Sequence, residues 1–194
     1  MAAELQTRYS EPQRHYHTLE HISYMLRALE LNGRGNETIE LAIWFHDCVY
    51  DPVKGSPWNE RESIRVFEEF ADSTKSHTMA GLKESVSALI EATILHRLPD
   101  VLPERLSASE VAMFLDLDMS ILAESPAVYE TYSRQIREEY SQYSAESYRL
   151  GRSKVLQGFL LHEHIFLGPE TEEMEQRARE NIEGEITRLM IPST

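Results

Sequence analysis

Leu41-Ala42-Ile43-Trp44-Phe45-His46-Asp47-Cys48-Val49-Tyr50 is apolar at every position but two, and those two are adjacent: His46 and Asp47. A helix that is apolar all round belongs in the middle of a fold rather than on its surface. An ionised carboxylate buried there is costly unless it is paired or bound to a metal. Neighbouring helical residues point about 100° apart, so the two side chains can converge on one point along the flank of the helix. By itself the dipeptide also has a plain structural reading, a buried His–Asp hydrogen bond.

The flanking sequence supplies more of the same chemistry. Upstream, Arg14-His15-Tyr16-His17-Thr18-Leu19-Glu20-His21 carries three histidines at the start of a helix, and His17 and His21, four apart, share a face. Downstream, Phe114-Leu115-Asp116-Leu117-Asp118-Met119-Ser120-Ile121-Leu122 sets two acids inside an apolar helix. Three segments thus offer imidazole and carboxylate ligands. That mixed nitrogen and oxygen set suits Mn, Fe, Co, Ni, Zn or Mg better than it suits a soft-metal site.

Helical spacing recurs through the rest of the chain, and no run alternates as a half-buried strand would. Leu82, Val86, Leu89, Ile90, Thr93 and Ile94 line one helical face; Ile64, Phe67, Phe70 and Ala71 line another; Tyr132, Ile136 and Tyr140 repeat every four. Ser107 with Glu110 resembles a capping box, Ser125-Pro126 a helix start, and Glu170, Glu172 and Glu173 an acidic first turn. Breaks fall at Asn32-Gly33-Arg34-Gly35, Asp51 to Trp58, Pro99 to Pro103 and Gly168-Pro169. The pattern predicts helices near 17–31, 37–50, 59–72, 79–96, 108–123, 126–143, 146–166 and 171–190. The expectation is an all-α, single-domain bundle over 1–194, with a metal core at about 14–122 and C-terminal helices over 126–190.

Composition narrows the function. The 194 residues are 41% apolar and 27% charged, an ordinary globular profile. One cysteine, Cys48, precludes an internal disulfide and fits a reducing cytosol. The first thirty residues show no basic start followed by a long apolar run, and no stretch is apolar for long enough to span a membrane. The expected location is cytoplasmic. A formal charge of -14, from 33 acidic against 19 basic residues, opposes binding to long nucleic acids. Handling a small phosphate with such a field calls for a metal or a few placed cations.

The order His…His-Asp…Asp, with the pair in an apolar helix and the last acid in Asp-x-Asp, resembles the HD-domain metal-dependent phosphohydrolase superfamily. More narrowly, His15-Tyr16-His17-x-x-x-His21-Ile22, Trp44-Phe45-His46-Asp47-x-Val49-Tyr50-Asp51-Pro52, Asn59-Glu60-x-x-Ser63 and Leu115-Asp116-x-Asp118-x-Ser120-Ile121-Leu122 resemble a branch described as predicted HD phosphohydrolases. The resemblance runs from about residue 8 to 166. It implies an HD-type helical fold and a divalent metal held by His21, His46, Asp47 and Asp118. It implies that Glu60 orients the attacking water, and that His17, Asp116 and His96 stand beside the metal or the substrate. Arg14 and Arg97 are candidate phosphate contacts, because a guanidinium can grip two phosphate oxygens at once. The implied function is hydrolysis of phosphate esters, with a small nucleotide or another phosphorylated metabolite as substrate. Neither a membrane nor a long nucleic acid is an expected partner, and a homo-oligomer stays open. The competing readings are an HD-fold regulatory module that binds metal and nucleotide without turnover, and a helical interaction domain whose His and Asp residues are structural.

Overall fold

A computed structural model describes residues 2–33 and 35–191; Arg34, part of the expected break at 32–35, lies outside the described residues. The protein is all-helical, as the spacing predicts, and no strand occurs among the described residues. In chain order the helices are α1 (Ala2–Arg8), α2 (Leu19–Asn32), α3 (Glu37–Phe45), α4 (Trp58–Thr74), α5 (His77–Ala92), α6 (Ala108–Met119), a short 3₁₀ turn (Ser120–Ala123), α7 (Pro126–Glu139), α8 (Ala145–Leu161) and α9 (Glu172–Met190). No described helix is long and apolar enough to cross a membrane. Contacts divide the chain into two compact units, Met1–Leu117 and Asp118–Thr194.

In the first unit α3 packs against α2, α4 and α5. Ile39, Ala42, Ile43 and Phe45 are all but fully buried, and each large side chain among them contributes about 2 kcal/mol of hydrophobic stabilisation. Two caps set the frame. Asn36 Oδ1 accepts from the Ile39 amide at 3.0 Å and starts α3. Ser107 and Glu110 form the expected capping box: the Ser107 amide donates to Glu110 at 2.9 Å and the Glu110 amide donates to Ser107 Oγ at 3.3 Å. The two caps are joined, since Asn36 Nδ2 donates to Glu110 Oε1 at 2.6 Å. Helices α3 and α6 therefore start side by side.

The sequence reading misses α1, whose seven residues are too few to show a helical period. It also extends α3 too far. The helix stops at Phe45, not at residue 50, and His46 and Asp47 occupy the turn that follows. The apolar run hides this end. Asp51 precedes Pro52, which disfavours helix at 51, and the carbonyls just past Phe45 are bound elsewhere. Similarly α5 ends at Ala92 rather than 96, and α8 at Leu161 rather than 166.

In the second unit α9 packs on the 3₁₀ turn, α7 and α8. Asn181 Nδ2 donates to the Leu122 and Glu124 carbonyls, both at 2.9 Å. At its centre Glu185 is buried and accepts from Arg152 Nε and Nη2, at 2.9 and 3.2 Å, and from the Tyr129 hydroxyl at 2.6 Å. Burial alone would raise the Glu185 carboxyl, but the hydrogen bonds and charge of Arg152, with the Tyr129 hydroxyl, hold it below the ordinary range. Its stabilisation is therefore complete above the unfolded value, about 4.3, and is lost as pH falls through the lower folded value. Arg152→Met should cost about 3–5 kcal/mol in urea unfolding at neutral pH, because it strands a buried carboxylate. Arg152→Met with Glu185→Met should recover most of that loss.

Candidate metal centre

The centre begins with the way α3 ends. The last carbonyls of a helix lack intrahelical partners, and here each finds a donor. His46 Nδ1 donates to the Ile43 carbonyl at 2.9 Å, the Tyr9 hydroxyl to Trp44 at 3.0 Å and the Cys48 amide to Phe45 at 3.1 Å. Burial, with Cys48 and Asp47 nearby, pushes the Tyr9 phenol well above its ordinary range, so it stays a protonated donor. Beyond the helix, Arg14 Nη1 donates to the Asp47 carbonyl at 2.8 Å and Nη2 to Cys48 at 3.2 Å. The same guanidinium donates through Nη1 to His17 at 3.0 Å and through Nε to Glu11 at 3.2 Å. Arg14 thus ties the 11–17 loop to the turn that carries the His-Asp pair.

Two imidazoles meet in this frame. His21, the third residue of α2, is buried, and so is His46; their Nε2 atoms are 3.4 Å apart. A carbonyl can only accept, so the Ile43 bond places the proton of neutral His46 on Nδ1 and leaves Nε2 as a lone pair. Asp47 Oδ2 lies 3.0 Å from that same Nε2. The third direction comes from α6, which runs unbroken through Leu117 to Met119. The Phe114 ring meets His46 edge-on, centroids 5.9 Å apart, and Asp118 is four residues further along the same face.

His21, His46 and Asp118 form a group that could hold a metal ion: one ligand atom of each lies within 4.8 Å of the others. The donor set fits one. Two nitrogens each about 2.1 Å from zinc stand about 3.4 Å apart at the tetrahedral angle and about 3.0 Å apart at a right angle. The observed 3.4 Å falls in that span. Lone pairs and carboxylate oxygens pointing at one spot repel unless a cation or a proton sits among them.

The remaining candidate residues are placed as follows. His17 is stacked on Tyr50, centroids 4.2 Å apart, with Nε2 4.0 Å from Asp47 Oδ2. The Asp47 and His17 side chains are 19% and 20% exposed while that of His46 is 2% exposed, so the centre opens to solvent along this edge. Asp116, two residues before Asp118, points to a different side of α6. His96 is half-buried, in a left-handed conformation beyond the end of α5, and Arg97 is exposed. Neither belongs to the converging group. Arg14, a candidate phosphate contact, is held by the chain itself: its side chain is wholly buried, and four of its five N–H groups donate to three carbonyls and Glu11. Cys48 is buried, and its thiol is pushed up to about 11 by that burial, so it is no nucleophile near neutral pH.

Asn59 and Ser63 serve the backbone. The Asp51 amide donates to Asn59 Oδ1 at 2.9 Å and Asn59 Nδ2 donates to the Asp51 carbonyl at 3.3 Å. The Val49 amide donates to Ser63 Oγ at 3.1 Å. Glu60 lies between them in the first turn of α4, and its Oε2 is buried with no hydrogen-bond partner among the described residues. The sequence reading passes over Tyr16, whose hydroxyl is 3.2 Å from His21 Nδ1. Its only signal is its place between two histidines.

Comparison with protein-family models, with curated proteins and with solved structures gives no match.

Two outcomes follow from the centre. Arg14→Met should lower stability by about 3 kcal/mol or more, read as a shifted urea midpoint at unchanged m, since it strands several carbonyls at once. Calorimetric titration should find about one divalent transition metal per chain. Affinity should weaken as pH falls toward about 5, because ligating imidazoles must be neutral.

Proposed function

We propose that this protein is a metal-dependent hydrolase of phosphate esters, of the HD type, acting on a small nucleotide or another phosphorylated metabolite. The observation that carries the reading is the convergence of His21, His46 and Asp118, from the neighbourhoods of three helices, with Asp47 beside them. The order of these ligands in the chain agrees with the motif resemblance, and the helical fold suits it. The mixed donor set favours Mn, Fe, Co, Ni, Zn or Mg.

The bound metal would supply a water made acidic enough to attack near neutral pH, and charge to offset the phosphoryl oxygens. The chain's own residues do the rest. His21 and His46, buried and fixed, hold their Nε2 atoms toward one point. Asp47, 3.0 Å from His46 Nε2 but outside the group of three, forms with His17 the more exposed edge where a substrate would arrive. A chain with charge -14 repels such a substrate unless positive charge is concentrated there. Glu60 is assigned to accept the proton of the attacking water, because its Oε2 has acceptor capacity that no described residue uses. The water oxygen bonds to phosphorus, the ester P–O bond breaks, and the leaving alcohol takes a proton.

Release of inorganic phosphate from a panel of phosphorylated metabolites, with Mn-, Co-, Ni- or Mg-loaded protein, tests the reading. Asp47→Asn should lower metal affinity and turnover together while leaving the thermal midpoint in chelator unchanged or higher. Glu60→Gln should keep the metal and lose about 10²-fold or more in kcat. Wild-type turnover in Asp47→Asn would remove the proposed mechanism. Wild-type turnover in Glu60→Gln would make Glu60 an ordinary acid at a helix start.

A further inference from the structure

The two imidazoles of the centre are held by different kinds of partner. His46 Nδ1 faces a backbone carbonyl, so the position of its proton is dictated by the chain. His21 Nδ1 faces the Tyr16 hydroxyl at 3.2 Å, with ring centroids 4.9 Å apart and planes tilted by 41°. A hydroxyl can donate or accept. Tyr16 itself is held in a short turn, with the Thr18 amide donating to its carbonyl at 2.8 Å, and Arg14 anchors the next residue through the His17 carbonyl.

We propose that Tyr16 is a positioning residue that sets the tautomer of His21 and so lets one imidazole pair exist in a metal-free and a metal-holding form. The inference rests on the metal reading above. In the metal-free form the Tyr16 hydroxyl donates to His21 Nδ1, and His21 Nε2–H faces the fixed lone pair of His46 Nε2 across 3.4 Å. In the metal-holding form the roles reverse: His21 Nδ1–H donates to the Tyr16 oxygen, and both Nε2 lone pairs face one point. The ring proton leaves Nε2 for Nδ1 by exchange with solvent, and the pair gains or loses none. A carbonyl at this position could serve only the second form. An imidazole that loses its outer partner binds metal less tightly, by about 10–100-fold in comparable sites.

The test uses the full-length protein, wild type and Tyr16→Phe, with zinc as the metal and two-bond ¹H–¹⁵N NMR of the histidine rings at mildly alkaline pH. In wild type, zinc should move the His21 ring proton from Nε2 to Nδ1 while His46 stays Nδ1-protonated throughout. Tyr16→Phe should weaken zinc by about 10–100-fold and expose the His21 Nδ1–H to rapid solvent exchange. The His46 signal should not change, which shows that the fold is kept. If wild type binds zinc and Tyr16→Phe binds it equally with the same His21 tautomer, the inference is overturned and the metal reading stands. A zinc-loaded wild type with its His21 proton still on Nε2 would overturn it as well. If wild type binds no metal, both fall, and wild type alone decides that.

Discussion

The centre depends on a helix that ends inside the protein. Helix α3 is the most enclosed of the first unit, and its C-terminal carbonyls have little water to turn to. A buried carbonyl without a donor costs about 1–3 kcal/mol, so the end of α3 recruits Tyr9, Arg14 and the Nδ1 of His46. Satisfying the backbone and aiming the site are one event. The bond that quiets the Ile43 carbonyl also turns the lone pair of His46 outward. The guanidinium that caps the turn also draws the His17 carbonyl, and with it the loop leading into α2, toward the His-Asp pair. Arg14 is placed in the same role a cation plays at any helix C-terminus, but with a planar fork that reaches three carbonyls.

The opposite ends of the same helices are equally constrained. The Asn36–Glu110 bond starts α3 and α6 together, and the Ser107 hydrogen bonds keep the Glu110 carboxyl below its ordinary range although burial works the other way. The Phe114 ring meets His46 further along the same two helices, a second point at which α3 and α6 come together.

Much of this was legible in the sequence, and the failures have causes. Helical period, the Ser107 capping box and the inward His and Asp residues are local properties that neighbouring residues specify. The end of α3 was not legible, because Cys48, Val49 and Tyr50 continue the apolar run while the fold takes the Asp47 and Cys48 carbonyls away from the helix. The donor that takes them, Arg14, lies more than thirty residues away, and nothing in its own segment distinguishes a buried clamp from a surface charge. The choice between Asp116 and Asp118 was likewise a matter of register: with both in an apolar helix, only the face that Phe114 presents to His46 decides it. Tyr16 was hidden for a simpler reason, since a tyrosine between histidines reads as aromatic packing until its hydroxyl is seen against a ring nitrogen.

The Asn59-Glu60-x-x-Ser63 segment shows how to divide such a motif into scaffold and chemistry. Asn59 and Ser63 are one turn apart on α4 and have the partners their side chains require; both clasp the backbone that leaves the His-Asp turn, at Asp51 and Val49. Glu60 shares a turn with them, yet its Oε2 is buried with no hydrogen-bond partner among the described residues, the one side-chain oxygen of this segment so placed. Burying an unused carboxylate oxygen is destabilising. A first-turn acid could gain its favourable interaction with the helix dipole while remaining in water. The dipole therefore accounts for an acid at this position but not for its enclosure.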